Sequence, residues 1–327
     1  MGTTDLGGGV HTIDTLMSGY SGITAGYLVV ADRPCLVETG TAKSAPIVRA
    51  ALAEHGLGPA DLATVVVTHI HLDHAGGVGD IAAAYPNTEV VVHELGARHL
   101  VDPAKLMASA QRVYGPLMDE VFGPLLPTPG ERVRAVGDEA TIDLGGGRSL
   151  RVRYSPGHAK HHVALFDEST GDLYVGDAAG IYVPEVDLIR PATPPPDFDL
   201  DVALDSLRLF RAMRPRRLLF SHYGPVEHVE DILERSEEEL QLWVELVGEA
   251  RGNALDLDHA VGLVRERTAE RYAAIRADAE LDEKFERLNS FAANIVGINR
   301  WLDRLEGRPY DFGDASGAGG ATPPLAG

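Results

Sequence analysis

The chain has 327 residues, 44% of them hydrophobic and 24% charged, the composition of an ordinary soluble domain long enough to bury a large core. Its 29 Lys and Arg stand against 49 Asp and Glu, and the formal net charge of -20 opposes loose binding to nucleic acid or to an anionic membrane. The one cysteine, Cys35, rules out a disulfide framework within the chain and sits in an apolar stretch, where it reads as a packed strand residue.

Met1 to Val10 has neither a basic cluster nor an apolar core, so it is not read as a signal peptide, and Leu6 occupies the place where an N-myristoylation signal wants Ser or Thr. No apolar run approaches the length of a bilayer crossing. A soluble, cytoplasmic protein is expected. Hydrophobic periodicity then predicts strands at His11 to Thr15, Gly26 to Val30 and Leu36 to Glu38, a helix at Ala45 to His55, and a β-branched strand over Asp61 to Thr68. A helix over Val78 to Tyr85 and a strand over Glu89 to His93 follow. Leu95 to Pro129 is helix-like with proline breaks and carries Met107, Tyr114, Leu117, Met118 and Phe122; it is read as a helical cap over an active site, or as a surface helical hairpin whose apolar residues pack on the sandwich. Strands recur at Ala140 to Leu144, Leu150 to Tyr154, Val163 to Phe166, Leu173 to Val175 and Leu218 to Ser221, with a helix at Asp201 to Met213. Gly145 to Gly147 is read as a hairpin turn. Beyond Val226 come helices at Val229 to Val247, Ala254 to Ala279 and Asp282 to Leu305, then a small-residue tail.

Two runs of strands, each followed by helices, suit an α+β, four-layer αββα sandwich better than a doubly wound sheet. The division expected is a catalytic domain over 1–230 with its cap at about 95–129, a helical extension over 231–306, and a disordered tail over 307–327.

The chemistry concentrates in Thr68-His69-Ile70-His71-Leu72-Asp73-His74-Ala75-Gly76-Gly77. Each buried imidazole or carboxylate needs a polar partner, and four within six positions are most simply served by a shared metal ion. His69 and His71, two apart on extended backbone, point to one face. Gly76-Gly77 then turns the chain into a helix, bringing Asp73 and His74 toward a neighbouring position.

The H-x-H-x-D-H pattern resembles the signature of the metallo-β-lactamase-fold hydrolases, including glyoxalase II-like and lactonase-like enzymes. Ser155-Pro156-Gly157-His158, Val175-Gly176-Asp177-Ala178 and Phe220-Ser221-His222-Tyr223-Gly224 resemble that family's later blocks, in order. The resemblance implies that His69, His71 and His158 hold one metal, that Asp73, His74 and His222 hold a second, and that Asp177 bridges them. It implies a metal-bridging hydroxide as nucleophile, with Asp73 as the catalytic residue that orients it and carries a proton. Two divalent ions are expected, zinc first, with iron or manganese compatible with imidazole and carboxylate ligation. His162 is placed as a support behind the ligands, His161 as exposed or partly buried, and Tyr182 and Tyr223 as donors to a substrate oxygen or as packed residues. Glu38-Thr39-Gly40 stands where the family has Asp-Thr-Gly. Lactonases of the fold carry Tyr three residues after the bridging Asp, where this chain has Gly180.

The function expected is hydrolysis of a small ester-like substrate, a thioester or lactone ahead of a phosphodiester. The alternatives are a mononuclear iron persulfide dioxygenase, which keeps most of the motif, and a non-catalytic metal-binding protein, against which the intact seven-ligand set argues. The partner is a small molecule, with no nucleic acid and no membrane, and the cap or C-terminal helices are where a homo-oligomer would form.

Overall fold

The computed structural model describes residues 3–308, so Met1, Gly2 and all but the first two residues of the tail expected at 307–327 lie outside the described residues. Among the described residues, two large sheets face each other. The seven-stranded sheet runs β1 (Thr3–Asp5), β2 (Val10–Asp14), β3 (Ala25–Val29), β4 (Cys35–Val37), β5 (Thr64–Val66), β6 (Glu89–His93) and β7 (Val133–Val136), in that spatial order. It is antiparallel from β1 to β4 and parallel from β4 to β7. The six-stranded sheet is built from β8 (Thr141–Asp143), β9 (Ser149–Tyr154), β10 (Val163–Asp167) and β11 (Asp172–Gly176). After a separate hairpin, β12 (Ile181–Val183) and β13 (Leu188–Arg190), it is completed by β14 (Arg217–Phe220) and β15 (Gly224–Val226). Its spatial order is β15-β14-β11-β10-β9-β8, with β11 and β14 parallel.

Alternation along each strand sorts the core into layers. Val66 turns inward and joins Cys35, Val37, Val91, Val152, Leu165 and Leu219 between the sheets. Its neighbours Val65 and Val67 face outward with Leu36, Val90 and Val92. They pack there under α1 (Ala45–Glu54), α2 (Leu72–Ala75), α3 (Val78–Ala84), α4 (Glu94–Val101) and α5 (Ala104–Tyr114). The outer face of the second sheet, Leu173, Val175, Leu218 and Phe220, is covered by α6 (Leu200–Met213), α7 (Val229–Gly252) and α8 (Leu257–Arg267). Past α9 (Ala273–Arg276) and α10 (Ala279–Leu288), which cover the hairpin, α11 (Phe291–Leu305) returns to that outer cluster. Helix, sheet, sheet and helix are the four layers expected of the αββα sandwich.

The expected strands and the helices up to Met213 fall where the sequence puts them, and Gly145 to Gly147 does turn β8 into β9. The C-terminal helices differ. The run expected from Ala254 to Ala279 breaks into α8 and α9, and the run from Asp282 to Leu305 into α10 and α11. Ser290 explains the second break: its side chain accepts from the N–H of Ala293 and starts α11, as Asp278, accepting from the N–H groups of Glu280 and Leu281, starts α10. Between α5 and β7, a π-helical turn at Met118–Phe122 drops Met118, Phe122 and Leu125 into the cluster beneath the first sheet's helices. Among the described residues no helix is long and apolar enough to cross a membrane.

Candidate metal centre

Four loops meet at one end of the sandwich. Past β5 the chain bends at Thr68, and His71, on extended backbone, caps the short α2 that carries Asp73 and His74. His158 follows β9, Asp177 follows β11 and His222 follows β14. The sequence spreads these residues over 154 positions; the two sheets bring them within a few ångströms.

His69 Nε2 and His158 Nε2 each lie 3.0 Å from His71 Nδ1. On the other side His222 Nε2 is 3.2 Å from His74 Nε2 and 3.3 Å from Asp73 Oδ2. Asp177 stands between the groups, with Oδ2 3.6 Å from His158 Nε2 and Oδ1 3.3 Å from His74 Nε2 and 3.6 Å from His222 Nε2. Ligands about 2.0–2.1 Å from one tetrahedral ion stand about 3.4 Å apart, so these spacings are those of shared coordination. His69, His71 and His158 form one set of facing ligand atoms, Asp73, His74 and His222 another, and His69 and His74 also meet Asp177.

The opposite edges of the imidazoles are held by the fold. His158 Nδ1 donates to the Ala192 carbonyl at 3.0 Å and His222 Nδ1 to the Ile23 carbonyl at 2.7 Å, which leaves both Nε2 atoms bare toward the centre. His74 Nδ1 meets Glu38 Oε2 at 3.0 Å, and His69 Nδ1 meets Thr68 Oγ1 at 3.0 Å. Five imidazoles and two carboxylates thus aim at one small space, and Asp177 Oδ1 is buried there without a partner in hydrogen-bond geometry. Both features fit a cation.

Electrostatics agree. Burial and the neighbouring imidazoles hold His69 well below its usual pKa and push His71 down to about 3, so both stay neutral. Burial also opposes charge on His74, but the carboxylates of Asp177, Asp73 and Glu38 outweigh it and raise its pKa well above the usual value. Burial disfavours ionised Asp73 and Asp177, yet His74 first and then His222 hold both below the ordinary carboxylate range.

The seven residues expected to ligate therefore come together. His162 lies behind them, fully buried, its Nε2 accepting the Asp177 N–H at 3.2 Å and its Nδ1 paired with Ser155 Oγ at 3.0 Å. His161 is half-buried beside the centre, 5.8 Å from the His71 ring, and burial pushes its pKa down to about 4. The two tyrosines expected to meet substrate are engaged elsewhere. The β12–β13 hairpin turns the Tyr182 hydroxyl to Asp187 at 3.0 Å, and the Tyr223 hydroxyl bonds Asp14. Glu38, one methylene longer than the family's Asp, spans two partners, the Thr68 N–H at 2.7 Å and His74. The Ala192 and Ile23 carbonyls have no side-chain signal by which a sequence could announce them.

A family model described as the Metallo-beta-lactamase superfamily matches residues 20–222. The metallo-beta-lactamase fold-containing protein of Sulfurisphaera tokodaii is 32% identical over 195 residues, 57% of this chain and 71% of that one. A hydroxyacylglutathione hydrolase of Synechococcus is 31% identical over 126 residues, 38% of this chain, and the match spans only 37% of that relative's length. A metallo-beta-lactamase family protein from Thermus thermophilus superposes with a TM-score of 0.60 at 24% identity, over 93% of this chain and 95% of that one, a likeness of fold alone.

Proposed function

The chain belongs to the metallo-beta-lactamase superfamily, and on that premise we propose that it is a dinuclear metal-dependent hydrolase of a small ester-like substrate, a thioester first. The observation that carries the reading is Asp177: its two oxygens face the two histidine groups, and Oδ1 is buried 3.3 Å from His74 Nε2 without hydrogen-bond geometry to it. Divalent ions held by His69, His71 and His158, by Asp73, His74 and His222, and jointly by Asp177 would supply Lewis acidity and a water of lowered pKa. Zinc is the first choice, ahead of iron and manganese.

The chain's own groups do the rest. Asp73 is the carboxylate that faces the open side, its side chain 18% exposed against 6% for Asp177. Held ionised, it can orient an attacking water through one oxygen and then carry that water's proton to the leaving group. Tyr114, at the end of α5, packs on Phe122 with ring centres 4.7 Å apart; desolvation and the field of Asp73 raise its pKa although the residue as a whole is 41% exposed. It stays a neutral hydroxyl, able to donate to a substrate oxygen, which supports the Leu95 to Pro129 segment as a cap that shapes the pocket.

Among ester-like bonds the thioester is favoured by the hydroxyacylglutathione hydrolases among the relatives, whose substrate is an acyl thioester. The lactone has less support. Gly180 has φ 90° and the Arg190 carbonyl oxygen 2.5 Å from where a Cβ would stand, so no tyrosine fits at that position. The test is elemental analysis of protein purified without added metal, together with turnover of thioester, lactone and phosphodiester panels. Close to two ions per chain with thioester cleavage is expected. A single tightly held iron, with oxygen uptake on glutathione persulfide and no ester cleavage, would replace the hydrolase by a persulfide dioxygenase.

A further inference from the structure

We propose that α11 positions one half of the metal centre: Asn294 and Gly297 fix segment 190–194, and the Ala192 carbonyl within it fixes His158. The inference deepens the metal-centre reading above and rests on it.

His158 Nδ1 bonds the Ala192 carbonyl at 3.0 Å. That bond sets both the tautomer and the tilt of the ring, and so the aim of Nε2 at His71 and Asp177. Ala192 belongs to an irregular stretch between β13 and α6, where a carbonyl has no ladder to hold it. Its neighbours on both sides are instead tied to α11 and the turn before it. Arg190 Nη2 donates to the Asn289 carbonyl at 2.9 Å, and Asn289 Nδ2 donates to the Pro191 carbonyl at 3.0 Å. Asn294 Oδ1 accepts the Thr193 N–H at 2.7 Å and the Thr193 hydroxyl at 2.8 Å. Asn294 Nδ2 closes the network on Asn289 Oδ1 at 3.0 Å.

Arg190, Thr193, Asn289 and Asn294 are all buried, so these bonds form away from water, where they are strong and costly to leave unmade. Gly297, three residues beyond Asn294 on the same helix face, brings the backbones into contact: a Cβ there would stand 1.7 Å from the Thr193 carbonyl oxygen. Residues 190, 191 and 193 are thus held by the helix while the carbonyl of 192 serves the ligand. A purely structural role for these contacts would show in stability and nowhere else.

The full chain, stripped of metal, is titrated with Co2+ against a competing chelator and followed by the metal's d–d absorption. Asp73→Asn marks which of the two binding phases belongs to the Asp73, His74 and His222 set. Asn294→Ala and Gly297→Ala are expected to weaken the other phase by about 10- to 100-fold, the usual effect of removing a ligand's support, and to leave the marked phase near wild type. Val264→Ala, in α8 and in the same apolar cluster but off the segment, reports what lost stability alone does. Should either variant fail to fold, Thr193→Val, which removes only the hydroxyl's bonds to Asn294 Oδ1 and the Asn294 carbonyl, gives a smaller loss confined to the same phase. Both phases weakening together, an equal loss in Val264→Ala, or wild-type binding by folded variants each overturns the proposal. Wild-type protein that takes up no Co2+ removes the metal centre itself and this inference with it, a failure recognisable because it precedes any substitution.

Discussion

Glu38→Gln is the substitution whose effect can be worked most directly from the contacts. The wholly buried carboxylate faces two donors, the Thr68 N–H at 2.7 Å and His74 Nδ1 at 3.0 Å. Glutamine keeps the shape but offers one acceptor oxygen and one NH2 group, so only one donor is satisfied and the other meets a donor. If the amide oxygen stays on Thr68, the NH2 favours the His74 tautomer with its proton on Nε2, the nitrogen needed by the metal. Losing one charge-assisted hydrogen bond costs about 1.5–3 kcal/mol, which at about 1.4 kcal/mol per decade is roughly a 10- to 100-fold loss of affinity. The loss is expected for the ion on Asp73, His74 and His222, with the ion on His69, His71 and His158 much less affected. Competition titration with a chelator measures both, and circular dichroism shows whether the fold persists. A folded Glu38→Gln protein that binds both ions as tightly as wild type would refute the role assigned to this carboxylate.

Asp177→Ala should lower the content of both ions in elemental analysis, whereas loss of one alone would mean the bridge is assigned to the wrong residue. Asp73→Asn keeps size and removes charge, so turnover should fall by a factor on the order of 10² or more while the His69, His71 and His158 ion largely remains; full activity would remove Asp73 from the reaction. Shortening Leu95 to Pro129, or the milder Tyr114→Phe, should change which esters are accepted in KM and kcat/KM with metal content unchanged, and an unaltered substrate profile would take the cap out of the functional account. Burial pushes the Cys35 thiol from 9.0 up to about 12. The stability this thiol contributes is complete below pH 9 and is lost as pH rises toward 12. At pH 8 it should therefore resist a disulfide reagent until the protein is unfolded, and fast reaction of the native protein would contradict its placement between the sheets.

Much of this architecture was legible because the signals were local. Uninterrupted β-branched runs such as Thr64 to Val67 announce a strand buried on both faces, and His69 to His74 announces a ligand cluster by its density alone. The later blocks, His158, Asp177 and His222, could be placed only through the family resemblance, since nothing in their spacing says that two sheets will bring them together. What was hidden depends on tertiary context. Asp278 and Ser290 look like ordinary polar helix residues until their side chains turn to cap, and Tyr182 looks like a pocket residue until a hairpin aims its hydroxyl at Asp187. Glu38 departs from the family's Asp, and its added length is what lets it touch both Thr68 and His74.

The placement of the ligands at the end of the sandwich has a mechanical consequence. His69, His71, Asp73 and His74 leave the first sheet, while His158, Asp177 and His222 leave the second. Each ion would therefore be a rivet through both halves, and pulling the halves apart would mean breaking metal–ligand bonds as well as parting the apolar layer between Val66 and Leu219. A ligand that binds only the folded state at a hundred times its Kd adds about 2.7 kcal/mol to stability. Metal supply would then govern the protein's lifetime as well as its activity: chains made in metal-poor conditions would open and be degraded sooner, so that few inactive copies would accumulate.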